Sequence, residues 1–256
     1  MEYLEGGRKN QIKRTGNHVI RPAGIWSKAV HQLLTHLQEN GFKSAPKALG
    51  FDENGNEILT FIAGDVCNYP LSAEAKSLAA LETAASLLRA YHDTTISFLQ
   101  NNLDPQQWML PTRQPIEVIC HGDYAPYNVV LNGRIAIGII DFDTAHPGPR
   151  IWDIAYALYR WAPFTNPQND DGWGTLTEQI TRAKQFCDAY GLAVTEREKA
   201  AEVILQRLQY LVDFMRAEAQ NGNEAFQQNI ADGHHLSYLQ DIAYVEEHKE
   251  MISQQI

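Results

Sequence analysis

The sequence has few cysteines, no long apolar run and no excess of positive charge. Its three cysteines, Cys67, Cys120 and Cys187, lie far apart without a C-x-x-C pair, which argues against a zinc or redox site and predicts reduced thiols. The most apolar run, IAIGII at positions 135–140, is far shorter than the roughly 20 residues of a membrane-spanning helix. The first residues lack the pattern of a signal peptide. We therefore expect a cytoplasmic protein that does not enter a membrane.

Positive charge is outweighed, because 21 Lys and Arg residues face 31 Asp and Glu residues. A net formal charge of −10 leaves no overall cationic field for nucleic acid, so we expect no nucleic-acid partner. The charge is unevenly distributed: residues 1–50 hold eight basic and three acidic residues, and the rest hold 13 and 28. This asymmetry suggests a small basic part that meets an anion and a large acidic part that meets a cation, although solvated surfaces give the same counts.

The first sixty or so residues have the pattern of a small antiparallel sheet interrupted by one helix. Ser27 is a candidate helix cap, and apolar residues then recur at helical spacing as far as Gly41. The pair Asn54-Gly55 stands between two alternating runs. It predicts a β-hairpin with a type I′ turn, in which both central residues have positive φ.

Helical patterns dominate after residue 64. A long helix is predicted after Ser72, followed by a second pair of strands, PIEVICHGD and RIAIGIIDFD, with an Asn132-Gly133 turn before the latter. Further helices are predicted over residues 152–162, 175–190, 195–220 and 223–250. This order of elements predicts an α+β fold of two lobes, with residues 1–63 in a small sheet lobe and residues 64–256 in a larger, mainly helical lobe.

The stretch HGDYAPYNVVLNGRIAIGIIDFDTA, at positions 121–145, places side chains with proton and metal chemistry beside strand ends. Asp123 and Asn128 follow one apolar strand, and Asp141 follows the next. Asn128 and Asp141 offer the oxygen ligands that Mg²⁺ prefers, together with phosphates and water. Asp123 is then left to accept a proton. This combination is typical of phosphoryl transfer, although Asp and Asn are also common in ordinary turns.

The same stretch resembles the catalytic core of the aminoglycoside phosphotransferase and small-molecule kinase family, whose fold is similar to that of protein kinases. The catalytic loop of that family, H-G-D-x-x-x-x-N, corresponds to residues 121–128, and its metal-binding D-x-D segment corresponds to residues 141–143. The resemblance implies a two-lobed kinase-like fold, in which the small lobe binds a nucleotide and the large lobe carries the catalytic residues and the substrate.

The resemblance also implies roles for individual residues. Asp123 would orient or deprotonate the acceptor hydroxyl, while Asn128 and Asp141 would hold Mg²⁺. His121 would brace the catalytic loop, which agrees with the usual structural role of a histidine beside a strand end. Asp153 would tie the loop to the start of a helix, although it could simply stabilise the positive helix end.

The expected nucleotide-binding residues depart from the kinase pattern. Kinases of this fold place a lysine on the third strand and pair it with a helix glutamate. Here the strand offers Arg21, and the helix offers His31 or Gln32 near the glutamate position. Arginine can still grip a phosphate through two hydrogen bonds. Gly6 and Gly7 are either a phosphate-covering loop or an ordinary turn.

Contacts with the nucleotide base and the acceptor are more open. Phe61 and Ile62 lie near the expected connection between the lobes, which meets the base in such folds, or they belong to a simple edge strand. Asp143 is a metal ligand, a substrate contact or a turn residue. Trp173 would contribute to an aromatic wall for the substrate, with core packing as the alternative. An amine on the acceptor would be attracted by the acidic residues of the large lobe, namely Asp170, Asp171, Asp232, Asp241, Glu246 and Glu247.

These expectations describe a Mg²⁺-dependent kinase that moves the γ-phosphoryl group of ATP or GTP to a hydroxyl of a small, amine-bearing molecule. A nucleotide-binding, pseudokinase-like module without turnover is an alternative, because the lysine–glutamate pair is missing. A metal-dependent hydrolase built on His121, Asp123, Asp141 and Asp143 is another.

Overall fold

The structure is a computed structural model that describes residues 2–3, 11–101, 106–169 and 171–256, so Gly6 and Gly7 lie outside the described residues. A five-stranded antiparallel sheet with strand order β1-β2-β3-β5-β4 forms the small lobe. Its strands are β1 (Glu2–Tyr3), β2 (Lys13–Thr15), β3 (His18–Pro22), β4 (Ala48–Phe51) and β5 (Asn56–Thr60).

Helix α1 (Ser27–Glu39) connects β3 to β4, where the sequence predicts a helix. Its cap differs from the prediction: Trp26 is the N-cap residue and makes no side-chain cap bond, while the Ser27 hydroxyl accepts a hydrogen bond from the Gly24 amide at 3.0 Å. The helix buries an apolar stripe, including Leu33 and Leu37, because these positions recur at helical spacing.

The hairpin between β4 and β5 forms, but the type I′ turn is wrong. Within the described parts of the chain, Asp141 is the single non-glycine residue with positive φ, so Asn54 does not have the required conformation. The loop instead spans residues 52–55. The Asp52 carboxylate organises it by accepting hydrogen bonds from the amides of Asn54 and Asn56 at 2.9 and 2.8 Å. Aspartate often shapes a turn through such bonds to the following backbone.

The large lobe is mainly helical. Its helices are α2 (Ala73–Lys76), α3 (Leu78–Asn101), α4 (Arg150–Trp161), α5 (Leu176–Tyr190), α6 (Val194–Arg197), α7 (Ala200–Gln220), α8 (Glu224–Ala231) and α9 (His234–Gln255). The single helix predicted after Ser72 is divided, because Ser72 caps α2 and the Ser77 hydroxyl accepts from the Ala80 amide at the start of α3. Each of the last two predicted helices is also two helices, and Gly233, with φ of 79°, separates α8 from α9.

Two short antiparallel sheets frame the loop at residues 121–128. Strands β7 (Val129–Asn132) and β8 (Ile135–Ile139) form the predicted hairpin, whereas β6 (Val118–Cys120) pairs with β9 (His146–Gly148) and not with β8. The Ile140 amide then donates to the Asn128 carbonyl at 2.9 Å. The ends of β6 and β8 therefore meet, and the two polar segments that follow them lie side by side.

One apolar core runs through both lobes, from Leu34 of α1 through Leu88 of α3 to Ile154 of α4. The sheet lobe and the helical lobe confirm the predicted α+β, two-lobed fold, while the boundary at residue 63 stays a prediction. In the part of the chain that the structure describes, no helix has both the length and the apolar composition needed to cross a membrane. The three cysteines are free thiols.

Candidate active site

A buried carboxylate at the start of α4 fixes the backbone of the loop that follows β6. Asp153 accepts hydrogen bonds from the amides of His121 and Gly122, at 2.6 and 2.9 Å, and its Oδ2 lies 3.0 Å from Nε2 of His92. Burial alone would raise the pKa of Asp153, but the His92 and backbone hydrogen bonds outweigh it and lower the pKa to about 2. Asp153 is therefore ionised at neutral pH and ties the loop to the helix.

His121 is held by the backbone at both ring nitrogens. Its Nε2 lies 2.9 Å from the Ile140 carbonyl, and its Nδ1 accepts from the Asp123 amide at 3.3 Å. The His121 ring also packs edge-to-face against the Phe142 ring, with the ring centroids 5.0 Å apart. These contacts link the two segments that follow β6 and β8, so the geometry suits a bracing role better than proton transfer.

Asp123 lies where the loop meets a large cavity. Its Oδ1 accepts from the Tyr127 hydroxyl at 2.7 Å, and its Oδ2 accepts from Nδ2 of Asn128 at 2.9 Å. Burial raises the pKa of Asp123, partly opposed by the hydrogen bond from Tyr127. A carboxylate with a raised pKa is better matched to proton transfer near neutral pH. The sequence interpretation did not include Tyr127, although it directly precedes Asn128.

Asn128 and Asp141 provide oxygen ligands of the kind that Mg²⁺ takes. Asn128 uses its amide nitrogen toward Asp123, so its Oδ1 takes no part in these two hydrogen bonds. Asp141 has φ of 60° and a side chain that is 47% exposed. Left-handed backbone at a non-glycine residue carries strain and often occurs at functional sites. An amide oxygen and a carboxylate oxygen suit a hard divalent cation that also binds phosphates and water.

No group of three or more His, Cys, Asp or Glu side chains within the described ranges is arranged to hold a metal by itself. Asn128 and Asp141 fit a metal ion whose other ligands are phosphate and water oxygens. The hydrolase reading requires a cluster of His121, Asp123, Asp141 and Asp143, and the structure provides no such cluster in the described residues.

Arg21 of β3 binds three carboxylates at once. Its Nε donates to Glu57 at 2.6 Å, its Nη1 donates to Asp141 at 2.7 Å and its Nη2 donates to Asp143 at 2.7 Å. Burial alone would lower the pKa of this guanidinium, but the three carboxylates outweigh it and raise the pKa. The small lobe is thus joined directly to the D-x-D segment at residues 141–143.

Glu57, the carboxylate partner of Arg21 Nε, was not predicted from the sequence. The sequence interpretation expected the glutamate on helix α1. Arg21 and Glu57 face each other across the β3–β5 pair. His31, at the helix position, lies 3.1 Å from the second Glu57 oxygen. One signal was available, since Glu57 alternates with the buried Leu59 on the inward face of its strand. A carboxylate at such a position needs a buried partner.

The cavity beside Asp123 has a volume of about 670 Å³. Six tyrosines contribute to its wall, namely Tyr69, Tyr127, Tyr156, Tyr159, Tyr210 and Tyr238. Two arginines, Arg160 and Arg207, and two of the predicted acidic residues, Asp171 and Asp241, also line it. Cavities of this volume hold drug-sized ligands. Asp123 therefore faces a cavity that can hold a small molecule. The segment beside its loop, residues 141–143, is bound by Arg21.

A protein-family model described as the phosphotransferase enzyme family, APH, matches residues 98–203, which contain the loop, the D-x-D segment and Asp153. The trifolitoxin immunity protein of Rhizobium leguminosarum bv. trifolii is 34% identical over 206 residues, which cover 76% of this chain and 75% of that protein. The chain belongs to the phosphotransferase enzyme family. The resemblance inferred from residues 121–143 is therefore confirmed.

Solved structures similar to this phosphotransferase family member share its fold. A choline/ethanolamine kinase family protein from Mesorhizobium loti has a TM-score of 0.58 and 17% identity, covering 98% of this chain and 92% of its own. An ethanolamine kinase from Plasmodium vivax has a TM-score of 0.59 and 12% identity, covering 96% and 84%. The streptomycin–ATP–APH(2″)-IIa ternary complex has a TM-score of 0.56 and 14% identity, covering 89% and 90%.

In this family member, the remaining predicted site residues lie in different places. Phe61 stacks beneath the Arg14 guanidinium at 3.7 Å, and Ile62 packs against Gly138 of β8. They occupy the connection between the sheet and the β7–β8 hairpin. Trp173 does not line the cavity; its ring lies under the charged ends of Lys76 and Arg182, at 5.1 and 4.7 Å.

Proposed function

We propose that this phosphotransferase moves the γ-phosphoryl group of ATP or GTP to a hydroxyl of a small molecule bound in the tyrosine-lined cavity. The position of Asp123 carries the proposal: it lines the cavity and is hydrogen-bonded to Asn128. Asp141, beside the same loop, is bound by Arg21 of the small lobe. A hydroxyl in the cavity and a phosphate near Arg21 would meet at this junction.

Each residue has a definite task in this reaction. Asp123 orients the acceptor hydroxyl and takes its proton. Oδ1 of Asn128 and the Asp141 carboxylate would hold Mg²⁺, which neutralises phosphate charge when it is bound. Arg21 would contact phosphate oxygens with a guanidinium that stays charged. Positioning and charge neutralisation supply most of the rate in such reactions, and proton transfer adds about 10²–10⁴-fold.

The nucleotide base would lie against the backbone at Phe61 and Ile62. This part of the proposal is supported by the place of those residues between the small sheet and β8, where kinases receive the base. Asp143 would help to place Arg21, because its Oδ1 accepts a hydrogen bond from Nη2 of Arg21 at 2.7 Å. Trp173 would contact only those acceptors that extend beyond the cavity.

An amine on the acceptor is expected from the acidic composition of the large lobe. Asp171 is the carboxylate best placed to meet it, because it lines the cavity and its side chain is 24% exposed. The relative's name adds one specific candidate. Because that protein is named for immunity to trifolitoxin, and phosphorylation is one way to inactivate a toxin, trifolitoxin belongs among the acceptors to be tested.

The test is an ADP- and GDP-release assay with ATP and GTP in parallel, across aminoglycosides, amino alcohols, hydroxylated amino acids and trifolitoxin. We expect acceptor-dependent release and a phosphorylated product by mass spectrometry. Asp123→Ala should lower turnover by about 10²–10⁴-fold, because the base is lost, while circular dichroism stays the same. Full turnover in Asp123→Ala would overturn the assignment of Asp123.

One observation favours a second function, a nucleotide-binding module without turnover. Arg21 occupies oxygens of both Asp141 and Asp143, so a metal ion must compete with a buried guanidinium. This alternative predicts a thermal shift with Mg²⁺ and nucleotide but no phosphorylated product from any acceptor. The same assay plates therefore distinguish the two functions.

A further inference from the structure

Arg207 of α7 is a buried cation whose hydrogen-bonding capacity the chain does not exhaust. It is 4% exposed and lines the cavity with Asp123. Its Nη2 donates to the Gly122 carbonyl at 2.6 Å, whereas its Nε and Nη1 have no hydrogen-bond partner. Among the residues with described positions, no carboxylate forms an ion pair with it. Holding Gly122 needs one N–H group and leaves the rest of the guanidinium unexplained.

Arg160 of α4 repeats this pattern in the same cavity. It is 6% exposed, and its Nη1 donates to Asp171 at 2.9 Å, but its Nε has no partner. The guanidinium lies over the ring of Tyr69 at 4.3 Å and near that of Tyr159 at 5.1 Å. Stacked arginines of this kind offer their N–H edges to a planar, oxygen-bearing partner.

The cavity's wall carboxylates, in contrast, already have partners inside the protein. Asp241 accepts hydrogen bonds from the Tyr159 hydroxyl and from Asn166 and Asn169, each at 2.7 Å. Asp171 is paired with Arg160. Among the buried side-chain atoms of the described wall residues, those without a hydrogen-bond partner are Nε and Nη1 of Arg207 and Nε of Arg160. Arg207 is a buried cation without an ion pair to a described carboxylate, which is costly, and an anionic ligand would remove that cost.

We propose that the acceptor carries a carboxylate, which binds Arg207 and Arg160, in addition to the hydroxyl that faces Asp123. Its body would be planar or aromatic, because six tyrosines line the cavity. A zwitterionic acceptor would satisfy both this inference and the amine expected from composition. The inference rests on the proposed function in one respect, namely that this cavity is the acceptor site.

The test compares three ligands that share a ring and a hydroxymethyl group: 4-(hydroxymethyl)benzoate, 4-(hydroxymethyl)benzamide and 4-(hydroxymethyl)benzylamine. Binding to the full chain is measured by titration calorimetry without nucleotide, so that no turnover is needed. The carboxylate should bind about tenfold or more tightly than the amide, because hydrogen bonds between charged partners are stronger. The benzylamine should bind more weakly than the carboxylate. Equal or tighter binding of the benzylamine, or no binding of any of the three at millimolar concentration, would overturn the proposal.

Variants assign the preference to the two arginines. Arg207→Met and Arg160→Met should each reduce the preference for the carboxylate over the amide several-fold. Arg89→Gln is the matched control, since Arg89 pairs with Asp93 outside the cavity and should leave the preference unchanged. Because Arg207 also holds Gly122, its variant is first checked by circular dichroism. If the Arg207→Met variant does not fold, the proposal is tested by Arg160→Met and by the ligand comparison in the unmodified chain.

Two further measurements, phosphate binding and ADP release, distinguish this inference from a phosphate site and from the proposed turnover. Tight binding of inorganic phosphate without any preference among the three ring compounds would assign the arginines to the transferred phosphoryl group and overturn the proposal. A carboxylate preference without ADP release in any assay supports the inference and counts against turnover. ADP release with the benzylamine but without a carboxylate preference supports turnover and overturns the inference.

Discussion

At the scale of single residues, the Arg21 guanidinium connects the small lobe to the D-x-D segment of the large lobe. It binds Glu57, Asp141 and Asp143 through three different nitrogens. A lysine ammonium has one nitrogen and could not reach three carboxylates in this planar arrangement. Its partner Glu57 lies on β5 and not on a helix. The register of the β3–β5 pair therefore brings Glu57 opposite Arg21.

Glu57→Gln should lower the free energy of unfolding by about 1–3 kcal/mol, because the hydrogen bond from Arg21 Nε loses its charged acceptor in a buried setting. It should also weaken nucleotide binding, since Arg21 would be less well placed for phosphate. Urea denaturation and nucleotide titration measure the two effects. Glu53→Gln, in the same hairpin but exposed, is the control and should change stability by less than about 0.5 kcal/mol. Equal stability of the two variants would contradict this account.

The residues of the site differ in how well the sequence predicts them. The proximity of Asp123, Asn128 and Asp141 could be predicted because their spacing is a local property of one loop and one hairpin, while their roles stay predictions. Glu57 could not be found in the same way, since its pairing with Arg21 depends on which strands are neighbours. The arginines of the cavity, Arg160 and Arg207, lie on separate helices, and nothing in their local sequence indicates a shared wall.

At the scale of elements, the loop after β6 depends on a close approach of two backbones. Gly122 has φ of 84°, and a Cβ there would lie 2.4 Å from the Thr144 carbonyl oxygen. Thr144 in turn donates from its hydroxyl to the His121 carbonyl at 3.0 Å. Glycine is therefore required for two reasons, its backbone conformation and the space beside β9.

Comparing Gly122→Ala with Gly133→Ala separates these reasons. Gly133, at the tip of the β7–β8 hairpin, has φ of 60° and nothing within 4 Å of its Cβ position. Gly133→Ala should therefore cost about 1–2 kcal/mol from backbone strain alone. Gly122→Ala should cost clearly more and should lower turnover, because displacing the loop disturbs the amide bonds to Asp153. Urea denaturation and the ADP-release assay measure both. Similar losses for the two variants would mean that the clash is relieved cheaply.

Helix α9 is attached to the loop after α4 through a carboxylate, which predicts a pH dependence. Asp241 is buried, and burial raises its pKa to about 6 despite the hydrogen bonds from Tyr159 and Asn166. The folded state therefore binds a proton more tightly than the unfolded state, so this contribution to stability is fully present below pH 4 and is lost as the pH rises through 6. From pH 5 to pH 7 the loss should be about 1 kcal/mol, by urea denaturation. In Asp241→Asn this component should vanish; an unchanged slope would rule out Asp241 as its source.

Element boundaries explain where sequence patterns succeed and fail. The periodicity of α1 predicts its extent well, because Leu33 and Leu37 lie on a single buried stripe. The split between α2 and α3 at Ser77 was missed, since apolar spacing continues across it. The pairing of β6 with β9 also could not be predicted, because β9 consists of His146, Pro147 and Gly148, which have no strand pattern.

At the scale of the whole molecule, the uneven charge and the shared core have different consequences. Eight of the 21 basic residues lie in the first 50 positions, which suits a lobe that receives polyphosphate. The apolar core, however, contains residues of both lobes. His36 of α1 lies 2.9 Å from the Ser97 hydroxyl of α3, and the ring of Phe42 packs near that of Tyr91. The lobes share one apolar interior although they differ in charge.

Because the core is shared, we predict that the boundary at residue 63 separates two functions and does not separate two independent folding units. Deleting residues 1–63 removes Leu33, Leu34 and Leu37, which are fully buried in the common core. At about 1.5–3 kcal/mol for each buried leucine, their loss alone approaches the 5–15 kcal/mol that stabilises a typical domain. Residues 64–256 expressed alone should show helical circular dichroism but no cooperative urea transition, and should bind a hydrophobic dye. A cooperative transition with the midpoint of the full chain would establish that the large lobe folds by itself, and the apolar contacts between α1 and α3 would then contribute little to stability.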